Sequence, residues 1–218
     1  MGKKQHDEYV AREFNRSARR YDDSHVVKSY QSRAQALVVD GLRLEKGMRV
    51  LDLGCGTGAA TLEVASRLEG TGQVVGLDLS EKMIARAKRK LSTLGYANAT
   101  FILQSASALD YDGEFDYVLS TNAFHHFADK QEVFSRVHRS LKPGGTFVVQ
   151  DICDDFLLMR LLDLMGKIGE KAHVGSATSV ALKELLVSAG FSDVAVRTTK
   201  LNWFWQIMVG EGTRRIAY

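Results

Sequence analysis

The residues of this chain best suited to chemistry are Asp52, Gly54, Gly56 and Gly58, within Val50 to Ala59 (VLDLGCGTGA), then Asp78 and the adjacent pair His125 and His126. Three glycines at alternate positions let the backbone turn sharply and approach a ligand with no Cβ in the way. A carboxylate just before them and another farther along the chain are acceptors for hydroxyl or ammonium groups. An imidazole titrating near neutral pH can take a proton from a reacting group. This combination describes a nucleotide-type pocket with a candidate base beside it.

Such a loop works only if rigid elements hold it. Val50, Leu51 and Leu53 form a short apolar run, as expected of a parallel strand covered on both faces, and Ala59 to Leu68 resumes a helical pattern. The loop therefore sits where a strand ends and a helix begins. Gly54, Gly56 and Ala59 also satisfy the dinucleotide fingerprint, with Asp78 as the ribose-binding acid. Asp52 argues against that alternative, because it would stand at the mouth of the loop, where a dinucleotide places its pyrophosphate. Like charges about 4 Å apart cost roughly 4 kcal/mol at an effective dielectric of about 20. A ligand carrying a sulfonium and an ammonium would meet the same carboxylate favourably.

The remaining pattern supplies the frame. Residues 7–20 and 25–44 have helical spacing; strands are expected near 48–53, 73–78, 99–104, 115–120 and 145–151, with helices near 58–69, 80–94 and 130–141. This alternation predicts a doubly wound parallel sheet. The one proline, Pro143, falls between a helix and a strand. Asp154 to Ile168 is apolar around most of a helical circumference, either a core helix or a lid over an apolar substrate, shared across a possible homodimer; Gly166, Gly169 and Gly175 then break it. A helix over 178–189 and strands over 191–199 and 201–209 close the chain.

The motif Asp52 to Gly58 (DLGCGTG) resembles the first motif of the class I S-adenosylmethionine-dependent methyltransferases. Val74 to Leu79 (VVGLDL), Phe115 to Phe127 (FDYVLSTNAFHHF) and Leu141 to Gln150 (LKPGGTFVVQ) resemble later motifs of that family in the same order. Phe14 to Asp22 (FNRSARRYD) is similar to the N-terminal signature of its ubiquinone and menaquinone biosynthesis-type, small-molecule members. The resemblance implies an α/β fold with a doubly wound, mostly parallel seven-stranded sheet, the Rossmann-like methyltransferase fold, with an N-terminal helical cap. It divides a single domain into a cap over 1–45, a cofactor-binding core over 46–151, and lid helices with a closing strand hairpin over 152–218.

The binding roles it implies fall on matched positions. Gly54, Cys55 and Gly56 would line the methionine part of S-adenosyl-L-methionine, with Asp52 near its ammonium; Asp78 would accept both ribose hydroxyls, since charge-assisted bonds are the stronger ones. Leu79 and Met83 would flank the adenine, and Thr121 would border the site at the exit of the fourth strand. Ser105 stands where the subgroup often carries an acid for the adenine amino group, and Ala106 can offer a backbone N–H to the ring. His126, ahead of His125, is the expected base, with Tyr21 and His25 within reach from the cap.

Composition sets outer limits. A chain of 218 residues, 45% hydrophobic and 25% charged, can bury a full core without metals or disulfides. Cys55 and Cys153 have no metal-ligand spacing, and no run is apolar enough for a membrane span, so a reduced, cytoplasmic setting is expected. The net charge of +3 is small and the basic residues are scattered, which disfavours nucleic acid as a partner. The expected activity is methyl transfer to a small apolar or aromatic molecule. The alternatives are an NAD(P)-binding oxidoreductase and a cofactor-binding protein without catalysis.

Overall fold

In the computed structural model, residues 2–21, 25–153, 155, 177–201 and 206–216 are described. Two helices come first, α1 (Lys3–Tyr21) and α2 (His25–Gly41). The alternating part follows: β1 (Arg49–Leu53), α3 (Ala59–Arg67), β2 (Gln73–Asp78), α4 (Glu81–Leu94), β3 (Ala99–Leu103), β4 (Phe115–Thr121), α5 (Lys130–Ser140) and β5 (Leu141–Ile152). The described chain closes with α6 (Ser179–Ser188), β6 (Ser192–Lys200) and β7 (Gln206–Thr213).

The seven strands form one sheet in the order β3-β2-β1-β4-β5-β7-β6. The first five are parallel, and β7 runs antiparallel between β5 and β6. The expected architecture is therefore present. Successive side chains of a strand point to opposite faces, and β1 shows what that means here. Leu51 and Leu53 pack with Phe115, Phe134, Phe147 and Leu182, whereas Val50 packs with Val38, Val64, Val74 and Leu119. Both faces are covered, so β1 is apolar apart from Arg49 at its start and the buried Asp52.

Helix starts follow their capping chemistry. Ser80 caps α4 by accepting the Met83 N–H at 3.2 Å, Asp129 caps α5 through Glu132 at 2.9 Å, and Thr178 caps α6 through Ala181 at 3.2 Å. Helix α1 begins at Lys3 rather than near residue 7, α2 ends at Gly41 rather than 44, and two strand starts also differ from expectation. The fifth strand begins at Leu141, because Leu141 pairs with Phe115 across a register shift before the regular ladder resumes at Thr146. The last strand begins at Gln206, after residues 202–205, which lie outside the described residues. The apolar segment Asp154 to Ile168 also lies outside them except for Asp155, as do the glycines that follow it and the side chain of His25. No helix among the described residues is long and apolar enough to cross a membrane.

The turn into β5 depends on a missing side chain. A Cβ on Gly145 would come within 2.9 Å of the Lys142 and Phe115 carbonyl oxygens and 3.1 Å of that of Asp116, and backbone atoms cannot swing aside. Gly41, at the end of α2, has nothing within 4 Å of the equivalent point. Gly145→Ala should therefore lower unfolding stability by about 1–3 kcal/mol, as overpacking does. Gly41→Ala should change it by less than about 1 kcal/mol. Urea unfolding of the two variants checks this, and equal stabilities would contradict the steric account.

Candidate functional site

The strand order reverses between β1 and β4, and in open α/β sheets ligands bind at the carboxyl ends of the strands flanking such a point. A cavity of about 280 Å³ lies there. Its floor is the glycine loop, and the loop is fastened to β2 by three bonds from its backbone N–H groups. Gly54 and Cys55 both donate their N–H groups to the Leu77 carbonyl, at 2.8 and 2.9 Å. The Asp78 carboxylate accepts the Gly56 N–H at 2.9 Å and the Ser80 N–H at 2.7 Å. Gly54, Gly56 and Gly58 all have positive φ (76°, 54° and 83°), a region in which L side chains are strained.

These glycines serve different ends. A Cβ on Gly54 would lie 2.5 Å from the Ala123 Cβ, and one on Gly58 would lie 2.6 Å from the Phe101 ring. Those two glycines allow close packing. A Cβ on Gly56 would meet nothing within 4 Å, because this position faces the cavity. Here the absence of a side chain leaves room for a ligand.

Two carboxylates and one ammonium stand beside the loop: Asp52, Asp78, and Lys90, whose Nζ donates to the Thr57 hydroxyl at 2.8 Å. Asp52 is fully buried, and its Oδ2 accepts the Thr61 hydroxyl at 2.6 Å while its Oδ1 has no hydrogen-bond partner among the described residues. Burial, chiefly, and the neighbouring Asp78 push its carboxyl up to about 6. Burial likewise raises Asp78 above the usual carboxylate range, against the backbone N–H groups that lower it. The Cys55 thiol is pushed up by burial first and then by both carboxylates. A pyrophosphate would add repulsion to this field, whereas a cationic ligand would relieve it.

The expected site residues divide accordingly. Gly54, Cys55, Gly56, Asp78, Leu79, Met83, Ser105, Thr121 and His126 all border the cavity. Asp52 does not stand at the mouth of the loop: β1 is enclosed between β2 and β4, and α3 covers the carboxylate through Thr61. Ala106 is turned toward the core instead. His125 and His126 part company within one short turn of helix, Phe124–His126. The His125 Nδ1 bonds Asp151 at 2.7 Å and its backbone N–H bonds the same carboxylate at 2.9 Å, so His125 braces the end of β5. Burial would raise the fully buried Asp151, but His125 outweighs it and holds that carboxyl below the usual range.

His126 faces the cavity. Its ring lies edge-on to Phe14 with centroids 5.0 Å apart, and its carbonyl oxygen is 2.9 Å from the Nε2 of the buried His6. Tyr21 also reaches the cavity, next to Phe14.

Several α1 residues were not foreseen. Asn15 Oδ1 accepts the Ser80 hydroxyl at 2.8 Å and the Lys82 N–H at 3.0 Å, tying α1 to the start of α4. Asp7 borders the cavity and accepts the Ser105 hydroxyl at 2.6 Å and the Ser107 hydroxyl at 2.9 Å. These are contacts over nearly a hundred residues of chain, which no local pattern reveals. The sign in the sequence was indirect, a serine at 105 where an acid was expected.

The donor set suits S-adenosylmethionine on the observations above: an open face at Gly56, a carboxylate fixed for hydroxyls at Asp78, and a buried carboxylate oxygen of Asp52 with no partner among the described residues. Comparison with known proteins agrees. Residues 44–194 match the model of a methyltransferase domain family. An uncharacterized methyltransferase from Synechocystis is 34% identical over 169 residues, spanning 75% of this chain and 76% of that protein. A demethylmenaquinone methyltransferase of Geobacillus kaustophilus is 28% identical over 214 residues, spanning 88% and 92% of the two chains. In fold, a 1,6-didemethyltoxoflavin-N1-methyltransferase of Burkholderia thailandensis, solved with 1,6-didemethyltoxoflavin and S-adenosylhomocysteine, superposes with a TM-score of 0.77 at 19% identity over 99% of this chain and 92% of its own. The loop chemistry, the seven-stranded sheet and the extent of the family match together establish that this chain belongs to the methyltransferase domain family and is an S-adenosylmethionine-dependent methyltransferase.

Proposed function

We propose that the chain works as a single cytoplasmic domain that methylates a small apolar or aromatic molecule bound between α1 and the end of β4. The observation that carries this reading is the apolar part of the cavity lining. Val10, Phe14, Phe127 and Val133 form it, with the His126 ring among them. An apolar wall favours an apolar guest by roughly 25 cal/mol per Å² of buried surface. The relatives named for demethylmenaquinone and the structural neighbour solved with 1,6-didemethyltoxoflavin indicate which acceptors to try first. The two cysteines, both free and buried, suit a reducing compartment.

When bound, S-adenosylmethionine supplies an electrophilic methyl group. The protein's own task is then to orient and to manage a proton. Asp78, already oriented by Gly56 and Ser80, accepts the ribose hydroxyls; Leu79 and Met83 pack on the base; the loop backbone at Gly54 and Gly56 passes the methionine part. Asp52, held by Thr61 beside the loop, offsets the positive charge of the ammonium. Holding the acceptor in line with the methyl group accounts for much of the rate by proximity alone. His126, positioned by Phe14 and by the bond from its carbonyl to His6, receives the proton that an acceptor hydroxyl or amine loses.

Asp78→Ala should weaken S-adenosylmethionine binding by at least about tenfold, since bonds to a charged acceptor contribute roughly 1.5 to 3 kcal/mol each. Calorimetry on the folded variant checks this, and unchanged affinity would remove Asp78 from the site. Gly56→Val should abolish binding by filling the space at the open face.

Asp52 gives a prediction in pH. Its folded-state value of about 6 lies above the ordinary 3.8, so the fold holds the proton more tightly than the unfolded chain does and ionisation is a cost above pH 6. Stability without ligand should gain from this group as pH falls from 7 toward 4. At pH 7 Asp52→Asn should raise stability by about 1–3 kcal/mol, while weakening S-adenosylmethionine binding. In the wild type, affinity should also fall as pH drops below 6; a variant that loses stability and binds normally would contradict this role.

His126→Ala should lower turnover by about 10²- to 10⁴-fold and leave cofactor affinity within a few-fold. Transfer of a labelled methyl group to the two named acceptors measures it. Near-normal turnover with an unaltered pH profile would show that His126 only packs.

A further inference from the structure

Only two of the described residues bordering the cavity are carboxylates, Asp78 and Asp7. They come from different layers of the molecule, Asp78 from the end of β2 and Asp7 from the N-terminal helix. Asp7 sits over the segment that leaves β3. Its Oδ2 takes the hydroxyls of both Ser105 and Ser107, whose own oxygens are 2.7 Å apart, and Ser107 donates its backbone N–H to the Ser105 hydroxyl at 3.1 Å. Two hydroxyls thus hold one carboxylate oxygen, and the Ser107 N–H steadies the first of them. The Oδ1 of Asp7 makes no hydrogen bond among the described residues, and Asp7 is half-buried at the cavity wall.

Position across the sheet tells what part of a ligand would meet that oxygen. The glycine loop follows β1, Asp78 ends β2, and Ser105 follows β3, which are three neighbouring strands. Adjacent strands are about 4.8 Å apart, so the distance from loop to Ser105 is on the order of 10 Å. A nucleoside with its ribose on Asp78 and its sulfur side toward the loop must direct its base outward, past Leu79 and Met83, to the Ser105 side. The amino edge of adenine is a hydrogen-bond donor and needs an acceptor there.

Resting on the reading of this cavity as the S-adenosylmethionine site, we propose that Asp7, carried on α1 and oriented by Ser105 and Ser107, accepts the exocyclic amino group of the adenine and makes α1 part of the cofactor site. Besides the buried Val10 and Ala18 and the contact of Phe14 with His126, the helix is held by polar ties, Asn15 to Ser80 and Lys82, His6 to the His126 carbonyl, and Lys3 to Asp129 and Glu132 at 2.7 and 2.8 Å. Such ties exchange readily with water, so a further bond from the ligand shifts α1 toward the docked position. Because α1 also carries Phe14 against His126, adenine recognition and the acceptor side of the cavity are joined through one helix.

The test compares S-adenosylhomocysteine with its deaminated analogue, S-inosylhomocysteine, which presents a carbonyl where adenine presents the amine. Calorimetry on the wild type should show at least about a tenfold preference for the adenine ligand. In Asp7→Asn, whose amide can donate to that carbonyl, the preference should shrink to within about threefold. Hydrogen exchange on the wild type gives a second readout that needs no variant: at equal occupancy the adenine ligand should slow exchange of the α1 amides around Asp7 more than the deaminated one. Full retention of the preference in Asp7→Asn, or equal protection of α1 by the two ligands, would overturn the proposal and leave the cofactor site standing. Failure of the wild type to bind either ligand would overturn the site itself, and the proposal with it.

Discussion

The junction between the ends of β1 and β2 is the constraint on which the rest of the site depends. Leu77 receives two N–H groups of the glycine loop, and Asp78 receives a third from Gly56 together with that of Ser80. A carboxylate that accepts two backbone donors cannot swing, so its remaining lone pairs have a fixed direction before any ligand arrives. The same bonds set the start of α4, because Ser80 is its cap, and Ser80 in turn donates its hydroxyl to Asn15 of α1. Loop, second strand, following helix and N-terminal helix are therefore held by one connected set of polar contacts.

That junction has an electrostatic cost. Two carboxylates stand beside one loop, both displaced upward mainly by burial, and one oxygen of Asp52 has no partner among the described residues. A fold selected for stability alone would place an amide or an apolar group at 52. Retaining the charge makes sense where a cation is bound, since desolvation that penalises the empty site strengthens the attraction to a positively charged ligand. The cavity lining combines both kinds of group, the carboxylates Asp7 and Asp78 with the apolar Phe14 and Phe127 and the imidazole of His126.

Much of this was legible in the sequence because it is local. The strand before Gly54, the alternation of apolar segments and the acid ending the second strand are each written within a few residues, and each appears in the fold; Pro143, expected between a helix and a strand, lies instead in the irregular first part of β5. Asp52 was read correctly as a charge near the loop and incorrectly as standing at its mouth; how the helix after the loop folds back to place Thr61 on that carboxylate cannot be seen in its immediate neighbours. The histidine pair shows the same limit, since only the position of Asp151 decides that His125 turns inward and His126 toward the cavity. Asp7 lay beyond sequence reasoning altogether, because its partners at 105 and 107 are brought to it only by the docking of α1.

The central claim is that the loop and its two carboxylates accept a cationic nucleoside and reject a dinucleotide. Calorimetric titration of the wild-type protein at neutral pH with S-adenosylmethionine and, separately, with NADH tests it most directly. Saturable one-site binding of S-adenosylmethionine with no measurable heat from NADH is the predicted result. Saturable binding of NADH, with none of S-adenosylmethionine, would contradict it.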